Sequence, residues 1–167
     1  MKVFSANIED LRSLYISNLR KALDMEQKIT KALPDLIEKS TDADLALAFQ
    51  THLEETKGHV TQVEALLESN TGESKTETCK VISGLTTEAS DTITDVTDTS
   101  IRDIALIGAA QQVEHHEIAV YGTLRRWAEI LGLSADVLVL ESIEEEEGNA
   151  DQLLSEIADR VNFRAAA

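Results

Sequence analysis

Four long stretches of the chain repeat their apolar residues at a period near 3.6, which commits them to amphipathic helices. The first runs from a cap at Ser5 or Asn7 to about Lys39, with Ile8, Leu11, Tyr15, Leu19, Ala22, Ile29, Leu33 and Ile37 on one face. Pro34 falls inside this pattern, so a kink or a break is expected near Leu33. The second opens at Ser40 or Thr41 and reaches about Ser69, with a stripe from Leu45 through Phe49 and His52 to Leu66. A third spans about Ser100 to Leu131 and stops at Gly132, a residue suited to a left-handed cap. The fourth takes Ser134 as its cap and continues to about Phe163.

Composition agrees with this reading. Seven Gly and one Pro are too few for a β-protein built on tight turns. A length of 167 residues suits a single domain, residues 1–167, with a core of its own. Between the second and third stretches, residues 70–99 are rich in Thr, Ser and Asp, and their middle, CKVISGLTTEASDTI, has enough apolar residues for a short helix. A structureless loop of that length would be out of place in a compact domain. The expected fold is therefore all-α: a ferritin-like four-helix bundle of two hairpins, joined by a long crossover that contains a short helix. A plain up-down bundle or a helical dimerisation module is also compatible with the pattern.

The formal charge of −16 and a pI near 4.5 set the chain against nucleic acid and anionic membranes, both of which would repel it. A lone Cys79 leaves no internal disulfide and fits a reducing compartment. The opening MKVFSANIEDL turns polar too soon for a signal peptide, and no apolar run approaches the ~18 residues of a membrane span. A cytoplasmic location is the expectation.

Amphipathic helices keep Asp and Glu toward water, so acids on an apolar stripe carry the information. At 100° per residue, Glu26 lies in line with Tyr15, Leu19, Leu33 and Ile37. Glu55 sits at the edge of the second stripe, one turn before His59, while Glu54 points to solvent. Glu114 shares a line with Ile107, Ala110, Ile118 and Tyr121, and Glu117 is beside it; His115 and His116 turn outward. On the fourth stretch Glu147 is aligned with Leu140, Ile143 and Leu154, with Glu144 and Asp151 on its flanks and Glu145 and Glu146 in the solvated face. The pairs Glu55–His59 and Glu147–Asp151 are spaced i, i+4, which stacks two ligands on one helix face. His52 reads first as a hydrogen-bonded core histidine, with a place among the ligands left open. Tyr121 and Trp127 read as packing residues, with the Tyr121 hydroxyl also able to hydrogen-bond a ligand carboxylate, and Cys79 reads as a small buried or loop residue.

About six of the 31 acids, namely Glu26, Glu55, Glu114, Glu117, Glu147 and Asp151, thus face inward. Burying one unpaired carboxylate costs several kcal/mol, and a cluster also repels itself. Three remedies exist: protons retained on the acids, buried Arg or Lys, or bound cations. No stripe carries a basic residue at its centre. Carboxylates with one or two histidines suit two iron ions, with manganese as the alternative, whereas calcium prefers flexible loops.

With these residues in view, the chain resembles the ferritin-like YciE/YciF stress-protein family over most of its length. MEQKITKALPDL is similar to the family's first acidic segment and carries Glu26; HLEETKGHVTQVEALLE carries Glu55, Thr56 and His59. CKVISGL is similar to the crossover helix, including Cys79. RDIALIGAAQQVEHHEIAVYGTL, with Glu114, Glu117 and Tyr121, is the most specific match, and Glu146, Glu147, Ala150, Asp151 and Leu154 complete it. Glu144 departs from the family's apolar residue and is left outside the ligand set, and Gly148 interrupts the last helix. The resemblance implies a rubrerythrin-like bundle, usually a homodimer, associated with stress responses. The ligand set expected is Glu26, Glu55, His59, Glu114, Glu117, Glu147 and Asp151 around two iron ions, with oxygen or peroxide as reactant. The competing expectation is a structural or interaction module whose inward acids are protonated or hold a passive ion.

Overall fold

Aspartates, more than serines, start the helices. The computed structural model describes residues 8–165, and the caps expected at Ser5 and Asn7 lie outside them. Helix α1 (Leu11–Lys39) begins at Asp10, whose carboxylate accepts the Ser13 backbone N–H while the Ser13 hydroxyl oxygen accepts the Asp10 N–H. Ile8, placed on the stripe from sequence, therefore precedes the helix and is exposed. Of the kink or break expected near Leu33, the break is absent: α1 passes Pro34 and ends at Lys39, with Pro34 itself exposed and Leu33 and Leu36 buried on either side. Burial of both leucines holds the turn that lacks the proline hydrogen bond.

Helix α2 (Ala43–Thr71) is capped by Asp42, which accepts the N–H groups of Asp44 and Leu45. Ser40 and Thr41 are not its caps, because Ser40 closes α1 and the Thr41 N–H and hydroxyl both donate to Asp103. Gly72, at φ 73°, ends α2 in the left-handed conformation. The short helix expected in the connection is α3 (Lys80–Asp95). Helix α4 (Thr99–Leu131) starts from Asp98 and stops at Gly132, at φ 70°, as its sequence predicts. Helix α5 (Ser134–Ala165) includes Ser134 as its first residue instead of following it. Among the described residues there are five helices and no strand. No helix is long and apolar enough to cross a membrane.

The largest interfaces join α4 to α5 and α1 to α2; α2 meets α5, α1 meets α4, and α3 covers α1 and α4. Polar clasps fix both ends of this assembly. At one end the buried Asp136 accepts from the Tyr15 hydroxyl (2.8 Å) and the Asn70 amide (2.7 Å). At the other, Asp103 accepts the Thr41 and Asp42 N–H groups, each at 2.9 Å, and Arg160 reaches Asp42 with two N–H groups. Between the clasps the core is leucine-rich, with Leu19, Leu23, Leu45, Leu67, Leu106, Leu124 and Leu140 essentially without solvent exposure. Gly122 brings α4 against α5, since a Cβ there would lie 2.8 Å from Glu144 Oε1. In the middle of the molecule the apolar packing gives way to carboxylates and imidazoles.

Candidate metal centre

Each of the four long helices presents polar ligands to this interior at the same height. From α1 comes Glu26, one turn after Leu23 and one before Ile29, all three buried. From α2 come His52 and His59, seven residues and two turns apart on the same face. The α4 contribution is Glu114 and Glu117, and that of α5 is Glu147. One ligand atom from each of His52, Glu114, Glu117 and Glu147 lies within 4.8 Å of the others, and the same holds for Glu26, His59 and Glu147. Glu147 belongs to both groups, so the two form one centre with a shared carboxylate.

Contacts inside the centre are short but poorly aligned. His59 Nδ1 is 3.0 Å from Glu147 Oε1 and 3.8 Å from Glu26 Oε2. His52 Nε2 is 3.4 Å from Glu114 Oε1 and 4.0 Å from Glu117 Oε2, and its Nδ1 is 3.8 Å from Glu147 Oε2. Nine buried atoms lack a hydrogen bond of proper geometry: both nitrogens of His52, Nδ1 of His59, both carboxylate oxygens of Glu117 and of Glu147, and one each of Glu26 and Glu114. Buried polar atoms are normally satisfied, so a convergent group of orphans is a set of donors awaiting a partner. Among the described residues the ion pairs of these four acids run to His52 and His59 and to no Lys or Arg. The donor set, four carboxylates and two imidazoles on rigid helices, fits a pair of divalent metal ions.

The outer contacts orient the inner ones. Glu146 Oε2 lies 2.9 Å from His59 Nε2, leaving Nδ1 to face the centre. The Tyr121 hydroxyl donates to Glu26 Oε1, and its ring meets the His59 ring edge-on at 6.4 Å. Burial pushes Glu26 above the usual carboxylate range, with His59 and Tyr121 only partly opposing it. Burial likewise raises Glu114 to about 8 and carries Glu117 far upward, Glu147 adding to both. For the histidines burial acts downward, but nearby carboxylates win: Glu55 and Glu114 hold His52 up at about 9, and Glu147 and Glu26 hold His59 at about 11. Without a cation, then, the centre retains protons.

Of the residues singled out from sequence, Glu26, His59, Glu114, Glu117 and Glu147 converge here. Glu55 and Asp151 do not enter either group. Glu55 is 39% exposed at the rim, 3.8 Å from His52 Nδ1. Asp151 accepts from the Gln111 amide at 3.2 Å and lies 3.4 Å from His115 Nε2. His52, which the sequence left open between a core histidine and a ligand, joins the first group; its seven-residue spacing from His59 was the available signal. Glu144 is held 2.7 Å from Arg125 Nε, away from the centre. His116 is half-buried, not outward, and its Nε2 lies 3.7 Å from Sγ of the buried Cys79.

Comparison with known proteins covers almost the whole chain. Residues 10–167 match the family described as a domain of unknown function, DUF892. Protein YciF of Escherichia coli is 36% identical over 161 residues, 95% of this chain and 97% of its own. The crystal structure of that stress protein superposes with a TM-score of 0.89 at 35% identity, covering 93% of this chain and 98% of the other. YcfI of Rhodopseudomonas palustris, regarded as a structural protein, superposes with a TM-score of 0.88 at 38% identity, covering 91% and 97%. A Xanthomonas campestris protein at 21% identity shares the fold, with a TM-score of 0.72 and coverage of 95% and 100%. Family match, identity and superposition agree, and the chain is a member of the DUF892 family, homologous to the stress protein YciF.

Proposed function

We propose that this chain is a ferritin-like four-helix bundle, with α3 as the crossover helix, that holds two metal ions in its core, iron first and manganese as the alternative. One observation carries this reading: nine buried nitrogen and oxygen atoms without hydrogen bonds, from six side chains on four helices, converge on a centre shared through Glu147. Two divalent cations would neutralise the four carboxylates, a match that neither two histidines nor any nearby Lys or Arg provides. Glu26 and His59 would hold one ion, His52, Glu114 and Glu117 the other, and Glu147 would join them. Iron bound here supplies one-electron chemistry toward oxygen or peroxide. The chain's own part is to hold the ligands: Tyr121 fixes the Glu26 carboxylate and Glu146 fixes the His59 ring. A stress-response setting comes by extension from the stress protein YciF, and a cytoplasmic homodimer is the form this reading adopts for the chain itself.

A structural module is the second reading. It is favoured by the upward displacement of Glu26, Glu114 and Glu117, which lets the centre exist protonated, and by the structural role ascribed to the Rhodopseudomonas relative. Metal analysis of protein purified without chelators and loaded anaerobically with Fe(II) separates the two. The di-metal reading expects about two equivalents per chain, lost in Glu26→Ala/Glu114→Ala. Less than about a tenth of an equivalent after loading ends that reading. Oxygen or peroxide added to loaded protein, with Fe(III) absorbance followed, then tests redox activity.

A further inference from the structure

Two cavities reach the centre from outside, and they differ in chemistry. One, of about 130 Å³, opens between α2 and α5. Its rim carries Thr51, Glu55, Glu146 and Asn149, and its floor is His52 and Glu114. The other, of about 30 Å³, reaches the same two residues past Ile29, Leu33, Phe49 and Val113, an apolar approach on which the Thr86 hydroxyl is the one further polar side chain and no carboxylate or imidazole precedes the centre.

We infer that divalent cations enter through the α2–α5 cleft, with Glu55 as a transit ligand that takes the ion from water and passes it to His52 and Glu114. This rests on the di-metal reading above. The rim acids alone would be a solvated surface. What makes the cleft a path is its floor: His52 and Glu114 line it, and both nitrogens of His52 and Oε2 of Glu114 are buried and lack hydrogen bonds. Glu55 bridges the two environments, 39% exposed to solvent yet 3.8 Å from His52 Nδ1. A hydrated cation must exchange its waters for protein ligands stepwise, because leaving them all at once costs far more than any single ligand returns. A half-exposed carboxylate followed by an imidazole supplies such a sequence. Glu146 adds negative potential at the rim, but its Oε2 is engaged with His59 Nε2, which leaves the hand-over to Glu55.

The test is the rate of cobalt(II) loading into metal-free full-length protein, followed by stopped-flow visible absorbance, with final occupancy measured separately by elemental analysis. Glu55→Gln keeps the shape of the side chain and removes its charge. Loading is expected to slow roughly tenfold at low salt, the scale of local electrostatic capture, while occupancy at saturating cobalt equals that of the wild type. Glu54→Gln, about 100° around the same helix, outside the cleft lining and paired with Lys57, leaves the rate within about twofold. Thr51→Trp places an indole over the mouth at an exposed position and also slows loading at unchanged occupancy; this variant decides the matter should Glu55→Gln misfold. An unchanged loading rate in both rim variants overturns the route. So does a fall in final occupancy in Glu55→Gln, which would make Glu55 a resident ligand. Failure of the wild type to take up cobalt at all overturns the metal reading itself, and the route with it.

Discussion

Glu147 is within 4 Å of both histidines and belongs to both ligand groups, so one change there tests the centre in folding and in metal binding. Glu147→Gln preserves volume but takes a carboxylate away from two imidazoles that hold their protons. In the metal-free protein the expected result is a melting temperature below that of the wild type near pH 8, because buried protonated imidazoles lose a carboxylate partner. On the di-metal reading metal affinity also drops, by at least about 100-fold, since a carboxylate common to both ligand groups is lost. Thermal melts and metal titrations on one variant check both. The pH dependence of the metal-free protein follows from the same residues. The folded-state pKa of Glu114 is about 8 against 4.5 for an ordinary glutamate, and His52 and His59 are raised to about 9 and about 11 from 6.5. A raised pKa means the folded state holds its proton more tightly than the unfolded state does. The Glu114 contribution is therefore complete below about pH 4.5 and lost as pH rises through 8; the histidine contributions are complete below about 6.5 and lost toward 9 and above. Melting temperature of chelator-treated protein should decline from pH 6 to pH 9. Metal must displace those protons, so its affinity should rise over the same interval. A metal-free protein that gains stability between pH 6 and 9 would contradict this assignment of protons.

At the scale of the elements, the turn between α1 and α2 is held by a residue from a third helix. Asp103 on α4 is buried and accepts from the Thr41 N–H, the Thr41 hydroxyl and the Asp42 N–H. Asp103→Ala strands these donors and should cost about 3 kcal/mol, seen in urea unfolding as a lower midpoint at unchanged slope. Gly148 offers the opposite case. It lies exposed within an unbroken α5, and a Cβ there would meet nothing within 4 Å, so Gly148→Ala should stabilise by about 0.5–1 kcal/mol. The helices themselves were legible because period and stop signals are local: Gly132 ends α4 where its sequence predicts, and the short helix expected within residues 79–93 appears as α3, Lys80–Asp95. Starts were less legible. Ser40, Thr41 and Asp42 can all cap α2, and the choice is made by Asp103, about 60 residues away in sequence. The site divides in the same way. Stripe centres such as Glu26, Glu114 and Glu147 could be read from phase alone, whereas Glu55 sits at the stripe's edge, where a few tens of degrees of rotation exchange rim for interior, and His52, though on the stripe, reads equally as a core histidine. His59 and its partner Glu146 come from different helices, and no local pattern links them.

The whole molecule is fastened by polar clasps at its two ends, Asp136 with Tyr15 and Asn70, and Asp103 and Arg160 with the start of α2. The centre lies between them and draws ligands from all four long helices. A cation bound there ties α1 and α2 to α4 and α5 across the thinner interfaces, since the larger ones lie within each hairpin. Metal binding should thus stabilise the fold globally and not merely order one segment. Ligand-linked stabilisation is about 2.7 kcal/mol at a free metal concentration 100 times the dissociation constant. For a domain of this size each kcal/mol moves the midpoint by about 2–4 °C, so saturating metal should raise the melting temperature by about 5–11 °C, and chelator should reverse it. The formal charge of −16 sharpens the contrast: on the di-metal reading two divalent ions would bring it to −12, with the change placed among the buried carboxylates. Raised salt screens the exposed acids but hardly reaches this interior, so most of the metal-induced rise should survive at 0.5 M salt. A rise that vanishes with salt would place the bound cations on the acidic surface, with the centre left to its protons.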